Sequence, residues 1–163
     1  MTRLFLAAIM LVITMPLAKV PIAAFDYSEF KCLVLNAYHE ARGEGPSGME
    51  AVTQVVFNRM AIKKKTACHI IYKPQQFSWT MRKHAISAVE LRDVERHLWA
   101  RLVRDASVFS QYGVCDVKVI LTRPESPILF ATHYHTKWVK PIWRNKMKQV
   151  GVLGNHIFYK ELK

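Results

Sequence analysis

From Leu4 to Met15 the chain runs Leu-Phe-Leu-Ala-Ala-Ile-Met-Leu-Val-Ile-Thr-Met, with no charged side chain to divide it into faces. Arg3 precedes this run, Pro16 follows it, and small residues appear at Ile22-Ala23-Ala24. A charged start, a short apolar centre and a small-residue exit form the pattern of a secretory signal. The run is shorter than the roughly 20 apolar residues of a spanning helix. Extended through Ala18, it would serve instead as a weak, releasable anchor. Residues 1–24 are therefore expected to be a signal or signal-anchor, and residues 25–163 one exported domain. Residues 4–18 would give it transient contact with the inner membrane.

Beyond residue 25 the apolar positions take a helical period. Phe30, Leu33, Val34, Ala37, Tyr38 and Ala41 recur as one stripe, with Asp26 or Ser28 available as N-cap. Gly43, Gly45 and Pro46 predict a turn. Ser47-Gly48-Met49-Glu50 reads as a capping box opening a second helix to about Met60, with Met49, Val52, Val56 and Met60 as its buried stripe. Lys63, Lys64 and Lys65 suit the C-terminal end of that helix dipole. Leu91, Val94, Leu98, Leu102, Ala106 and Phe109 predict a third, long helix ending before Gly113. The period then shortens: Val117–Leu121, Ile128–Tyr134 and Val150–Tyr159 are rich in β-branched and aromatic residues and read as short extended segments. The expected class is α+β, mainly α, one compact domain with a small β element.

Composition adds two constraints. Lys and Arg total 24 against 12 Asp and Glu, a net charge of +12, and 51% of the 163 residues are hydrophobic. That supports a real core and favours a polyanionic partner or surface, without choosing among nucleic acid, anionic lipid and an acidic wall polymer. Only Arg3 and Lys19 of the cations fall within residues 1–24, so the excess belongs to the domain. Export argues against nucleic acid. Cys32, Cys68 and Cys115 allow one disulfide and one spare thiol, with no pairing indicated; buried small hydrophobes are the favoured reading for all three.

Candidate chemistry gathers first at Tyr38-His39-Glu40-Ala41-Arg42-Gly43-Glu44-Gly45. Glu40 closes an apolar-striped helix. A carboxyl there can be half-buried yet open to a ligand, and burial raises its pKa toward that of a general acid. The loop Tyr72-Lys73-Pro74-Gln75-Gln76-Phe77-Ser78-Trp79 combines rings with amides, as a sugar subsite requires, although Phe77 and Trp79 serve equally well as core plugs. Thr132-His133-Tyr134-His135 and Asn155-His156-Ile157-Phe158-Tyr159 are the other dense polar-aromatic segments. In an extended segment His133 and His135 share a face with Tyr134 opposite. With His156 they could hold zinc, but neither HExxH nor another third-ligand pattern accompanies them, and a groove-lining role is favoured. No metal and no cofactor is expected.

Five blocks in order carry a resemblance: Tyr38 to Glu44, Val55-Val56-Phe57-Asn58-Arg59, Tyr72 to Ser78, Ala131 to His135, and Gly154 to Tyr159. Together, over about residues 30–160, the chain resembles the cell wall hydrolase family, whose best-known member is the catalytic domain of the spore cortex-lytic enzyme. The resemblance implies a lysozyme-like or lytic-transglycosylase-like fold that cleaves peptidoglycan glycan strands in the periplasm or cell-wall space. It places the catalytic Glu on Glu40. Met81–Gly113 matches the family pattern weakly and has no assigned role; with no peptidoglycan-binding repeat beside these blocks, a lone catalytic domain behind a weak export signal looks like a phage or prophage endolysin.

The expected reaction is cleavage between N-acetylmuramic acid and N-acetylglucosamine, by lytic transglycosylation with Glu40 as both acid and base. Glu44, Gln76, Phe77, His133, Tyr134, Asn155, His156 and Tyr159 are expected to bind or orient the glycan, in a monomer. The alternatives are a zinc amidase or peptidase built on His133, His135 and His156, and a non-enzymatic basic binder of nucleic acid or membrane.

Overall fold

The computed structural model describes residues 27–82, 86–112 and 128–162, and of residues 101–112 the backbone alone. The leader expected at 1–24, the segment expected at Val117–Leu121 and Cys115 lie outside the described residues. Among the described residues four α-helices and one small sheet form an α+β fold that is mainly helical.

The first helix, α1, spans Tyr27–Ala41 and carries the expected stripe. Phe30, Val34, Ala37, Tyr38 and Ala41 are buried against Met49, Val52, Val94 and Leu98. Its other buried flank, Cys32 and Leu33, joins Val56, Phe57, Ala67, Ile70, Ile71 and Phe77. The larger of these, the valine, leucine, isoleucine, methionine and phenylalanine side chains, each contribute about 1.5–3 kcal/mol when fully withdrawn from water. A short 3-10 turn, Arg42–Glu44, leads to the second helix, α2, Gly45–Lys63.

Ser47 does not open α2. The helix begins at Gly45, with Pro46 in its first turn and no side chain capping it. Gly45 adopts φ +67°, which a side chain would resist, and proline tolerates the first turn because its missing N–H has no helical partner there. Nor is one stripe of α2 buried. Val52 faces the first cluster, Val56 and Phe57 the second, and Ala51 and Val55 the sheet. A helix apolar on several sides belongs at the centre, and α2 is that centre.

A five-residue helix, α3, Ala67–Ile71, was not expected; it is too short to show a period. Thr66 Oγ1 caps it by accepting from His69 N at 3.4 Å. Cys32 and Cys68 form a disulfide between α1 and α3, which overturns the reading of these two cysteines as plain hydrophobes. Glu29 adds a second tie, accepting from Cys68 N at 2.8 Å. The long helix α4, Ala88–Tyr112, follows its expected bounds closely.

The sheet has order β1-β3-β2, all antiparallel, with β1 His133–Thr136, β2 Met147–Leu153 and β3 His156–Glu161. The single segment expected at Val150–Tyr159 is really two strands of a hairpin. Gly154, at φ +56°, and Asn155 make the turn inside the apolar run. The segment expected at Ile128–Tyr134 becomes a strand only at His133, after a turn closed by Ala131 N donating to Ile128 O at 2.9 Å.

Opposed residues share a face of a sheet. Register pairs Tyr134 with Phe158 and Thr136 with His156, so these four point one way. His133 pairs with Tyr159 and His135 with Ile157, so these point the other way. The Phe158 face packs on Ala51 and Val55 of α2.

Candidate active site

Glu40 sits in the last turn of α1, half-buried, where Ala41 ends the helix. The Tyr134 hydroxyl donates to Glu40 Oε2 at 3.0 Å. Burial raises the Glu40 carboxyl above its ordinary range; the Tyr134 hydrogen bond and the positive fields of His156 and Arg59 pull it partly back. The Tyr134 phenol is pushed well above its ordinary value by burial, then by Glu40's charge and the shared hydrogen bond. It therefore remains a donor at neutral pH.

Tyr134 packs against all three core clusters, so its hydroxyl is aimed by the whole core rather than by one neighbour. Asn36, buried on α1, accepts from Trp79 Nε1 at 3.1 Å. Trp79 stacks on His39, ring centroids 4.5 Å apart. This places one partly accessible aromatic beside the residue preceding Glu40.

Arg59, which has no role in the sequence expectations, is central to the site. It is buried on α2, donating through Nε to Thr132 O at 2.6 Å and through Nη1 to Gln76 Oε1 at 3.5 Å. Burial works against its charge, while Tyr134 and Glu40 favour it. An arginine two positions after the apolar Val55-Val56-Phe57 run was the available signal. Asn58 beside it donates to Leu129 O and Ala131 O at 2.9 and 2.7 Å, holding the approach to β1.

Glu44 occupies a different niche. Its Oε1 accepts from Asn155 N at 3.1 Å and its Oε2 from His156 Nδ1 at 3.0 Å. The pair is buried, with side-chain exposures of 9% for Glu44 and 3% for His156, so Glu44 has little surface left for a ligand. Glycines make the room: a Cβ on Gly48 or Gly154 would run into the Glu44 side chain. His156 in turn meets the Tyr134 ring edge-on at 5.0 Å.

The structure thus brings Glu40, Tyr134, His156 and Arg59 together, with Gln76 reached through Arg59 and Asn155 through Glu44. It separates the rest. Phe77 is buried beneath the Arg59 guanidinium, 5.5 Å from Cζ to the ring centroid, and has no face open to a pyranose. His133 and Tyr159 lie on the opposite sheet face from Tyr134. There the His135 Nδ1 donates to Thr136 O at 2.8 Å, leaving Nε2 to accept from the Tyr159 hydroxyl at 3.0 Å. Burial and the nearby Arg59 charge lower His133 to about 4, so it is neutral at pH 7. The same division parts His156 from His133 and His135, and among the described residues no group of three metal-ligating side chains forms.

A family model described as Cell Wall Hydrolase matches residues 43–159. The chain belongs to the cell wall hydrolase family. As a cell wall hydrolase it degrades peptidoglycan. No curated protein and no solved structure matches it. The matched stretch holds Glu44, Arg59, Tyr134 and His156 and begins three residues after Glu40. Among the described residues of this cell wall hydrolase, no helix is long and apolar enough to cross a membrane.

Proposed function

We propose that the protein cleaves the bond between N-acetylmuramic acid and N-acetylglucosamine as a lytic transglycosylase, with Glu40 as the sole acid and base. The observation that carries this reading is the state of the two carboxyls. Glu40 is half-buried, raised in pKa and held by a phenol donor. Glu44, the second carboxylate that a hydrolytic route would recruit, has both oxygens engaged by Asn155 and His156.

Protonated Glu40 donates to the glycosidic oxygen. The muramic C1–O bond breaks, its electron pair stays on the leaving N-acetylglucosamine oxygen, and positive charge develops at C1. The Glu40 carboxylate then takes the proton of the sugar's own 6-hydroxyl, whose oxygen closes on C1. A 1,6-anhydro product leaves, and Glu40 is again protonated. Tyr134 holds the carboxyl in place throughout, and Arg59 and His156 stabilise its charged form between the two proton transfers. Trp79 and Gln76 are the groups proposed to meet the glycan. The leader at 1–24, the domain at 25–163 and an endolysin role in phage lysis complete the proposal.

The test is digestion of purified sacculi, with mass spectrometry of the soluble fragments. Anhydro ends are expected, and reducing ends would refute the single-carboxylate route. Glu40→Gln should lower turnover about 10²–10⁴-fold with unchanged circular dichroism. Full activity in that variant removes the assignment.

A further inference from the structure

Residues 137–146 connect β1 to β2, and their apolar side chains divide in two. Trp143 turns inward, its ring centroid 5.3 Å from His133, 5.6 Å from His135 and 5.6 Å from Tyr159. Trp138, Val139 and Ile142 turn outward and are 74%, 54% and 85% exposed. A single exposed apolar residue needs no explanation, but three within five positions do.

The connection is well tied. Lys137 N donates to Asn155 O at 2.9 Å, Val139 N to Thr136 O at 3.0 Å, and Arg144 N to Pro141 O at 3.2 Å. With Trp143 seated inside, the chain holds the other three side chains in water at a cost that folding alone does not recover. The charge around them is one-sided. Lys137, Lys140, Arg144, Lys146 and Lys148 alternate with the apolar residues, and no Asp or Glu occurs from Pro127 through Lys160.

We propose that this connection docks on an anionic phospholipid bilayer. Trp138, Val139 and Ile142 enter the interfacial layer, and the lysines meet the headgroup phosphates. Indole favours headgroup depth, and lysine stems lie along apolar surface while their ammonium groups stay wet. Attachment of this kind combines buried apolar area with attraction to anionic lipid. A glycan would call for flat rings with amide or carboxyl partners, which Val139 and Ile142 do not supply. An acidic wall polymer would need the cations without the apolar tips. Trp143 seats the connection on the His133 and Tyr159 face, so docking leaves the Tyr134 and Glu40 side free.

The experiment measures binding of the full chain to phosphatidylcholine vesicles with and without phosphatidylglycerol. The double variant Trp138→Ser with Ile142→Ser should bind phosphatidylglycerol vesicles at least about tenfold more weakly. Its thermal midpoint and its release of fragments from lipid-free sacculi should stay unchanged. Lys137→Gln with Lys140→Gln should weaken binding about tenfold or more, on anionic vesicles only. Brominated lipid should quench the tryptophan emission of the wild-type chain, and Trp138→Phe should lose that quenching. Equal vesicle binding by the Trp138 and Ile142 double variant, or quenching that persists in Trp138→Phe, would overturn the proposal. So would a loss of affinity for lipid-free sacculi with vesicle binding intact, which would reassign the connection to the wall polymer.

Discussion

Removing one oxygen atom tests the proposed acid directly. Tyr134→Phe deletes the hydroxyl that donates to Glu40 Oε2 at 3.0 Å and keeps the ring that touches Phe77, His156 and Phe158. That hydrogen bond favours the charged carboxylate and so lowers a pKa that burial has raised. Without it, Glu40 keeps its proton to higher pH. A hydrogen bond to a charged group is worth about 1.5–3 kcal/mol, and one pH unit corresponds to about 1.36 kcal/mol. The alkaline limb of kcat/KM on solubilised glycan strands, where an acid that must be protonated is lost, should therefore move up by about one to two pH units. The assay is initial-rate release of fragments across the pH range, beside a thermal melt at each pH. General loosening of the fold would lower the amplitude and leave the limb where it was. A limb that stays put, or moves to lower pH, refutes the claim that this phenol sets the acid.

Two further variants report on the scaffold. Gly154→Ala forces a side chain into a left-handed turn and into the Glu44 carboxylate, so the buried pair with His156 must separate; a loss of about 2–4 kcal/mol and a clearly lower calorimetric midpoint are expected, and an unchanged midpoint would contradict the wedge. Cys32→Ser opens a link between positions 36 residues apart and should cost about 3–4 kcal/mol. Reductant should lower the midpoint of the wild-type chain and leave that of the variant alone; insensitivity in both would argue that the bond does not form.

The sequence showed the long elements because their period is repeated. The stripe from Phe30 to Ala41 and that from Leu91 to Phe109 each recur over several turns, and α1 and α4 lie where those stripes put them. Short features escaped. Five residues cannot display a period, so α3 gave no signal, and the hairpin turn at Gly154-Asn155 was hidden within an apolar run. Ser47 looked like a cap, but Pro46 already fits a first helical turn, and the helix starts before it. The position of Glu40 could be read from the place where the stripe stops. Its neighbourhood could not, because the Tyr134 contact spans 94 positions and depends on the register of β1 against β3. The histidines illustrate the same limit. Alternation correctly set His133 and His135 on one face, but only the strand pairing shows that His156 belongs to the other.

The contact between Glu44 and His156 joins positions 112 apart, and His156 opens β3. The charges that tune Glu40 therefore meet only after β3 has been synthesised and has paired with β1. A nascent chain still short of residue 156 already contains its carboxyl, but lacks the hairpin turn to which Glu44 is fastened. The setting of the proposed acid is thus complete only once β3 has paired, and a product stopping before residue 156 would carry the carboxyl without it.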